Sequence, residues 1–158
     1  MDRDHLELRS RREEMLLRML LRMTRAMSDE TSARVQAMGF DLQVSYLRLL
    51  GNLDVDGTRI AALARRMGTT RQAVSQLLAE IEARGYVTRR PDPDDKRGVV
   101  VEFTARGRKM LAAGMQVMLE IEAEYDDILG GERKLGTLKQ LLTALLDKID
   151  PQGRLGLD

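Results

Sequence analysis

Cysteine and tryptophan are absent from the 158 residues, and histidine occurs once, as His5. Without a thiol the chain forms no disulfide, cysteine nucleophile, iron–sulfur cluster or thiol-based peroxide sensor. One histidine near the start of the chain provides no cluster of ligands for a transition metal. The sequence also lacks a Gly-rich phosphate loop and a paired nucleophile and base. We therefore expect no cofactor, no metal and no enzymatic activity.

Aromatic residues are also scarce, with two Phe and three Tyr, which excludes a sheet whose aromatic side chains stack on bases. The charged start and the absence of any apolar run near the ~18 residues of a membrane span lead us to expect a cytoplasmic protein. The composition, 43% hydrophobic and 32% charged, is typical of one globular domain.

Charge is unevenly distributed, although the net charge is only +1. Residues 58–97 contain nine basic and five acidic side chains, whereas the segments on either side are weakly acidic. Binding to DNA requires clustered Lys and Arg and not a basic protein as a whole. Charge alone is equally compatible with a solvated surface that happens to be basic.

Apolar periodicity predicts a mostly α-helical chain. One long helix is expected from Leu6 to about Val35, with Gly39 ending it. Asp41 and Thr58 are expected to cap the second and third helices, and Gly68 to end the third. Thr69, with Gln72 three residues later, fits a capping box for the fourth.

The second half of the chain predicts a β-hairpin followed by two helices. Tyr86 to Arg90 and Val99 to Phe103 are β-prone runs, and their Pro- and Asp-rich connection is expected to be an exposed loop. Thr104 is expected to cap the fifth helix, and a sixth follows Gly130-Gly131. The sixth has the spacing of a coiled-coil seam, at Leu135, Leu138, Leu142, Leu145 and Ile149.

Two short helices, a tight turn and a hairpin form the layout of a winged helix-turn-helix, here residues 39–104. Residues 1–38 and 105–150 carry apolar stripes that no third element covers, so we expect them to form a helical dimerisation region. Residues 151–158 are expected to be a loose tail.

The polar side of the fourth helix carries residue types that hydrogen-bond to base edges and phosphates. The wing tip adds cations that could reach a minor groove, and Asp95 either orients Arg97 or belongs to an inert acidic turn. The candidate DNA-binding residues are Thr69, Thr70, Arg71, Gln72, Ser75, Gln76, Lys96 and Arg97.

Several segments together resemble the multiple antibiotic resistance regulator (MarR) family. The segments are Thr58 to Gly68, Ala73 to Ser75, Ile81 to Val87, Asp92 to Arg97 and Phe103 to Arg108. The resemblance covers about residues 6–149. It implies a dimeric bacterial transcription regulator, usually a repressor, whose terminal helices entwine and which binds a palindromic operator. It further implies that the recognition helix enters the major groove and that Arg97 enters the minor groove.

The same resemblance implies a small effector, often a phenolic or aromatic acid, bound between the dimer helices and the winged helix. Arginines could pair with its carboxylate, although the methionines could equally be dimer core and the arginines solvated. The candidate pocket residues are Met15, Arg18, Met19, Arg22, Met23 and Tyr46. Two other functions remain open: ligand-independent, nucleoid-type DNA binding, and a winged helix used for protein contact.

Overall fold

The computed structural model describes residues 11–93, 95, 98–131 and 133–150. The helices are α1 (Leu16–Ala37), α2 (Val44–Leu50), α3 (Ile60–Arg66), α4 (Arg71–Ala83), α5 (Ala105–Ile128) and α6 (Lys134–Ile149). The strands are β1 (Thr58–Arg59), β2 (Val87–Pro91) and β3 (Val99–Phe103). They form an antiparallel sheet in the order β1-β3-β2. The predicted fold class, mostly α with a small β wing, is confirmed.

The first helix differs from the prediction of one continuous helix from Leu6 to about Val35. A helical turn at residues 11–13 ends before Met15, whose backbone is extended with ψ of 128°. The Met15 carbonyl accepts hydrogen bonds from the Arg18 and Met19 amides, so Met15 starts a new helix and does not continue an old one. Gly39 ends the segment with φ of +88°, as predicted, whereas Leu6 lies outside the described residues.

Two predicted helix caps were wrong. Gln43, and not Asp41, stands at the N-cap of α2, and it makes no side-chain capping bond. The Asp41 carboxylate accepts from Nε of Arg84 at 2.6 Å. Arg59 stands at the N-cap of α3. Thr58 lies in β1, where its hydroxyl donates to the Asp54 carboxylate at 2.7 Å. In place of capping, the Asp41 side chain therefore makes a tertiary contact and the Thr58 hydroxyl makes a contact within the preceding loop.

The core lies where α1, α2, α4 and α5 meet the sheet. Tyr46 and Tyr86 are its largest fully buried side chains. The apolar faces of the short helices pack into this core, with Ile60 and Leu77 only partly buried. The buried members of those faces are Leu42, Tyr46, Leu49, Leu50, Leu63, Ala64, Met67, Val74, Leu78 and Ile81.

The sheet contains one strand that the sequence did not predict. Strand β1 is only two residues long, and Thr58 lies opposite Val101 of β3. Two residues carry no periodic pattern, so only pairing with β3 defines this strand. Strand β2 begins at Val87 and extends to Pro91, which lies opposite Val99.

Among the described residues, the first half of α1 and all of α6 leave apolar surface exposed. Helix α6 has no buried residue, and Leu138, Leu145 and Ile149 are 45%, 44% and 60% exposed. The first half of α1 exposes Leu16, Leu17 and other apolar side chains. In the described ranges no helix combines the length and apolarity that crossing a bilayer would need.

Candidate functional site

Helix α4 is anchored by one face and presents the other to solvent. Val74, Leu78 and Ile81 are fully buried, and Thr70 caps the helix by accepting from the Ala73 amide at 3.1 Å. The predicted capping residue, Thr69, lies one position too early. Gly68, with φ of +59°, turns the chain, and the Thr69 amide donates to the Ala64 carbonyl instead. The tight turn between α3 and α4 therefore has the predicted glycine and a shifted cap.

The exposed edge of α4 holds six of the predicted DNA-binding residues. Thr69, Thr70, Arg71, Gln72 and Gln76 are exposed, and Ser75 is half-buried. The edge has no acidic side chain before Glu80, and no ion pair engages Arg71 in the part of the chain that the structure describes. Side-chain hydrogen-bond donors and the positive end of the helix dipole thus lie together at the exposed N-terminal end of α4.

Helix α3 is fixed behind this edge by an ion pair. Arg66 donates to both carboxylate oxygens of Asp54, at 2.8 and 2.9 Å, and to the Asn52 carbonyl. Hydrogen bonds from Arg66 and Thr58 lower the pKa of Asp54, so the carboxylate is ionised across the physiological range. The loop before β1 and the last turn of α3 are consequently held together.

Strand β2 of the wing is tied directly to α4. The Arg89 guanidinium donates to the Ser75 carbonyl at 3.0 Å and lies 3.1 Å from the Glu82 carboxylate. The Arg89 amide also donates to Glu82. These contacts fix the direction of the wing relative to the helix, and the sequence did not reveal them because Arg89 and Ser75 are 14 residues apart.

The base of the wing contains a buried carboxylate, so the prediction of an exposed connecting loop was wrong at Asp92. Its side chain is 2% exposed and forms a bidentate pair with Arg59 of β1. Its amide donates to the Gly98 carbonyl at 3.0 Å, and a Cβ at Gly98 would lie 2.9 Å from a carboxylate oxygen of Asp92. The unpredicted strand β1 supplies the cation that makes this burial possible.

The cations of the wing tip, Lys96 and Arg97, lie outside the described residues. Asp95 is described, and its carbonyl accepts from the Gly98 amide at 2.8 Å. Its proposed orienting role depends on Arg97 and stays a prediction.

We expect Asp92→Asn to weaken about fivefold, the equivalent of ~1 kcal/mol, the DNA binding that the sequence predicts, because a neutral amide holds Arg59 less firmly and loosens the wing. Removal of an acidic charge by itself favours DNA binding. Asp56→Asn is the matched control, since Asp56 is exposed and the charge change is identical. Fluorescence anisotropy with one labelled duplex would compare them. Equal affinities of the two variants would contradict a positioning role for Asp92.

Helix α2 connects to the far end of α4 through Tyr46. The Tyr46 hydroxyl donates to the Glu80 carboxylate at 3.3 Å, and the Arg84 guanidinium lies 5.1 Å from the ring centre. Burial raises the pKa of Tyr46, so the phenol stays protonated as the donor. Arg84 extends the network to Asp41, whose amide donates to the Tyr86 hydroxyl.

A cavity of about 180 Å³, partly open to solvent, lies between α1, α2 and α5. None of the six predicted pocket residues lines it. Tyr46 faces Glu80 instead, and Met15, Met19, Arg22 and Met23 lie on the exposed part of α1. Arg18 is half-buried, and its Nε has no acceptor among the residues described. A pocket at these six positions therefore stays a prediction.

Comparison with known proteins agrees with this arrangement. Residues 40–98, which run from the segment before α2 to the wing, match the model of the MarR family. This part of the chain is similar to the MarR family. HosA of Escherichia coli O111:H-, a transcriptional regulator, is 36% identical over 81 residues, which are 51% of this chain and 60% of HosA. The chain thus spans less than two thirds of the length of this relative.

Solved structures show the same fold over most of the chain. Wild-type MarR from E. coli in its apo form gives a TM-score of 0.69 at 21% identity, covering 84% of this chain and 97% of MarR. The repressor CouR, solved with a 23-mer DNA duplex, gives a TM-score of 0.66 at 24% identity, covering 84% of this chain and 94% of CouR. The MarR fold therefore includes the long helices on either side of the winged helix.

Proposed function

We propose that this protein is a dimeric transcription regulator, in the first instance a repressor, that binds a palindromic DNA operator and is released by a small molecule. The observation that carries the proposal is the exposed edge of α4, which is free of acidic side chains up to Glu80 and backed by a fully buried face. Ordinary solvated helices usually alternate acids and lysines on the exposed side.

The dimensions and chemistry of α4 suit a major groove. Its 13 residues span about 20 Å, and a groove ~12 Å wide admits one α-helix. Arg71 can pair with guanine, Gln72 and Gln76 with adenine, and Thr69 and Thr70 with phosphate. The fixed wing base would direct the tip toward the neighbouring minor groove.

Relatives support this use of the fold. HosA is named a transcriptional regulator, and CouR is described as a transcriptional repressor bound to a DNA duplex. We extend both properties to this chain by analogy of sequence and fold.

The exposed apolar side chains of α1, α5 and α6 support the proposed dimer. Two-fold pairing would bury these surfaces together and would place the two α4 helices in half-sites about one turn of DNA apart, ~34 to 36 Å. A molecule that prefers a dimer with a different spacing of α4 would lower operator affinity by its differential binding.

We expect Arg71→Ala to cost about 1–3 kcal/mol of binding free energy at the preferred operator and to relax sequence preference, because a bidentate base contact is lost.

We expect Arg97→Ala to weaken binding to all duplexes and to make the dependence of log affinity on log salt concentration shallower by about one unit. Arg25→Ala is the control, since Arg25 on α1 is 84% exposed and carries the same charge.

The operator would first be found by selecting genomic fragments with the purified protein at ~0.15 M salt, where binding by charge alone is weak. Anisotropy titrations of the variants against the selected and a scrambled duplex would then test the assignment. Parent-like affinity of both the Arg71 and the Arg97 variants would overturn it and would favour a winged helix used for protein contact. Binding without any enriched sequence would favour the nucleoid-type alternative.

A further inference from the structure

The cavity between α1, α2 and α5 has a lining of one chemical kind. Twelve residues contribute, of which four are Met, four Leu and two Gly, and none is charged within the described chain. The other two are Ser28 and Thr31 on α1. Its volume of about 180 Å³ is below the roughly 300–1,000 Å³ of drug-sized pockets but above the ~150 Å³ of an apolar cavity that binds benzene, so it suits a small apolar molecule.

The two hydroxyl groups are the polar component of this lining. Neither Ser28 nor Thr31 makes a side-chain hydrogen bond to another described residue, whereas the neighbouring Ser32 hydroxyl donates to the Leu42 carbonyl at 2.6 Å. A hydroxyl can both donate and accept. The lining that the described residues of one protomer provide therefore offers a neutral hydrogen-bonding group but no counter-ion for a carboxylate.

Gly114 keeps part of the cavity open. A Cβ built on Gly114 meets no atom within 4 Å, and the residue lies in the middle of α5. Glycine inside a helix costs about 0.5–1 kcal/mol relative to alanine, so this position sacrifices helix stability and leaves space. The four methionines add side chains that adapt to different apolar shapes.

We propose that this cavity binds an uncharged, largely apolar molecule with a single neutral polar group, and that it discriminates against organic acids. The proposal deepens the proposed function. It rests on that function only in taking the bound molecule to be the effector that releases DNA. It differs from the aromatic acids that the family resemblance implies. A carboxylate would lose its hydration without gaining a cation, which disfavours the charged form.

The cavity also adjoins the route to the DNA-binding helix. Leu47 and Leu50 of α2 line it, and Tyr46 of the same helix donates to Glu80 of α4. A molecule that displaces α2 would thereby change a contact of α4.

Matched naphthalene probes test the chemical class directly. Naphthalenemethanol and naphthoate, substituted at the same ring position, share size and shape and differ in charge near neutral pH. Calorimetric titration of the full-length protein in the absence of DNA should show the alcohol binding about tenfold tighter or more. Equal or tighter binding of naphthoate, or no binding of the alcohol up to millimolar concentration, would overturn the proposal.

Variants locate the binding in the cavity. Gly114→Leu should fill the space and weaken the alcohol about tenfold or more, whereas Gly114→Ala, which gives the same helical gain with one methyl group, should retain most of the binding. The double variant Ser28→Ala/Thr31→Val should weaken naphthalenemethanol about fivefold and leave methylnaphthalene unchanged. Unchanged alcohol binding in both Gly114→Leu and the double variant would place the site elsewhere.

Operator release is measured separately, so the two proposals fail in different ways. Alcohol binding that does not alter the anisotropy of a preformed DNA complex would refute control by an effector and leave the cavity assignment intact. Release by naphthoate but not by the alcohol would retain effector control and overturn the chemical class.

Discussion

Replacing Leu138 and Leu145 of α6 together by glutamate is expected to convert the protein to a monomer and to reduce operator affinity by more than about a hundredfold. Both side chains are close to half exposed, and α6 buries no residue against its own chain. A dimer binds two half-sites at once, and linked binding adds roughly 10² to 10⁴ in affinity without any new contact. Two charges in a buried apolar seam would prevent this pairing.

The matched control is Gln140→Glu/Ala144→Glu, which places the same two charges on the opposite side of α6 by helical spacing. Light scattering over a range of micromolar concentrations would measure the mass, and anisotropy would measure operator binding. The control should remain dimeric. A parent-like mass and affinity for the Leu138/Leu145 variant would refute the assignment of α6 to the interface.

Gly107→Ala is expected to destabilise the protein by about 3 kcal/mol or more, because an added Cβ would overlap a backbone atom. Such a Cβ would lie 1.8 Å from the Tyr86 carbonyl oxygen and 3.2 Å from the Phe103 ring. The contact cannot be relieved by rotating a side chain. It lies at the junction where the chain leaves α4, enters the wing and later begins α5.

Thr104 explains why the segments around Tyr86 and Gly107 approach each other so closely. Its hydroxyl donates to the Gly85 carbonyl at 2.6 Å and accepts from the Gly107 amide at 2.9 Å, so it caps α5 and holds the end of α4 together. The predicted cap at Thr104 is thus confirmed. The Thr104 amide also donates to the Tyr86 carbonyl.

Gly114→Ala is the control for Gly107→Ala, because it makes the same substitution in the same helix where a Cβ meets open space. It should stabilise the protein by about 0.5–1 kcal/mol through helix propensity. Urea unfolding of both variants at one protein concentration would compare them, since the stability of a dimer depends on concentration. Shifts of the same sign would contradict the steric explanation.

The local elements were predictable because each depends on neighbours in sequence. The buried face of α4 repeats every three or four residues, and Gly39 and Gly68 follow their helices at the positions where a left-handed residue is needed. The candidate DNA-binding residues of α4 follow from the same periodicity, because the exposed edge is the complement of Val74, Leu78 and Ile81.

Caps and the wing base were less predictable because they depend on distant partners. Asp41 would suit a helix cap by its type, but Arg84 lies within reach and is a charged partner. Asp92 would suit an exposed turn, but β1 brings Arg59 beside it and buries the pair. In both cases a contact more than 30 residues away outweighed a local preference.

By itself, the sequence determined the order of helices and hairpin, the buried and exposed sides of α4, and the uncovered apolar stripes at the two ends of the chain. These properties follow from residue type and short-range spacing, which a linear chain displays directly. Only the tertiary structure decided that Arg59 and Asp92 hold the wing, and that the described residues lining the cavity are Met, Leu, Gly, Ser28 and Thr31, with no cation among them. Those properties depend on which side chains α1, α2, α5 and β1 bring together. The packing of segments that are far apart in the sequence determines which side chains meet.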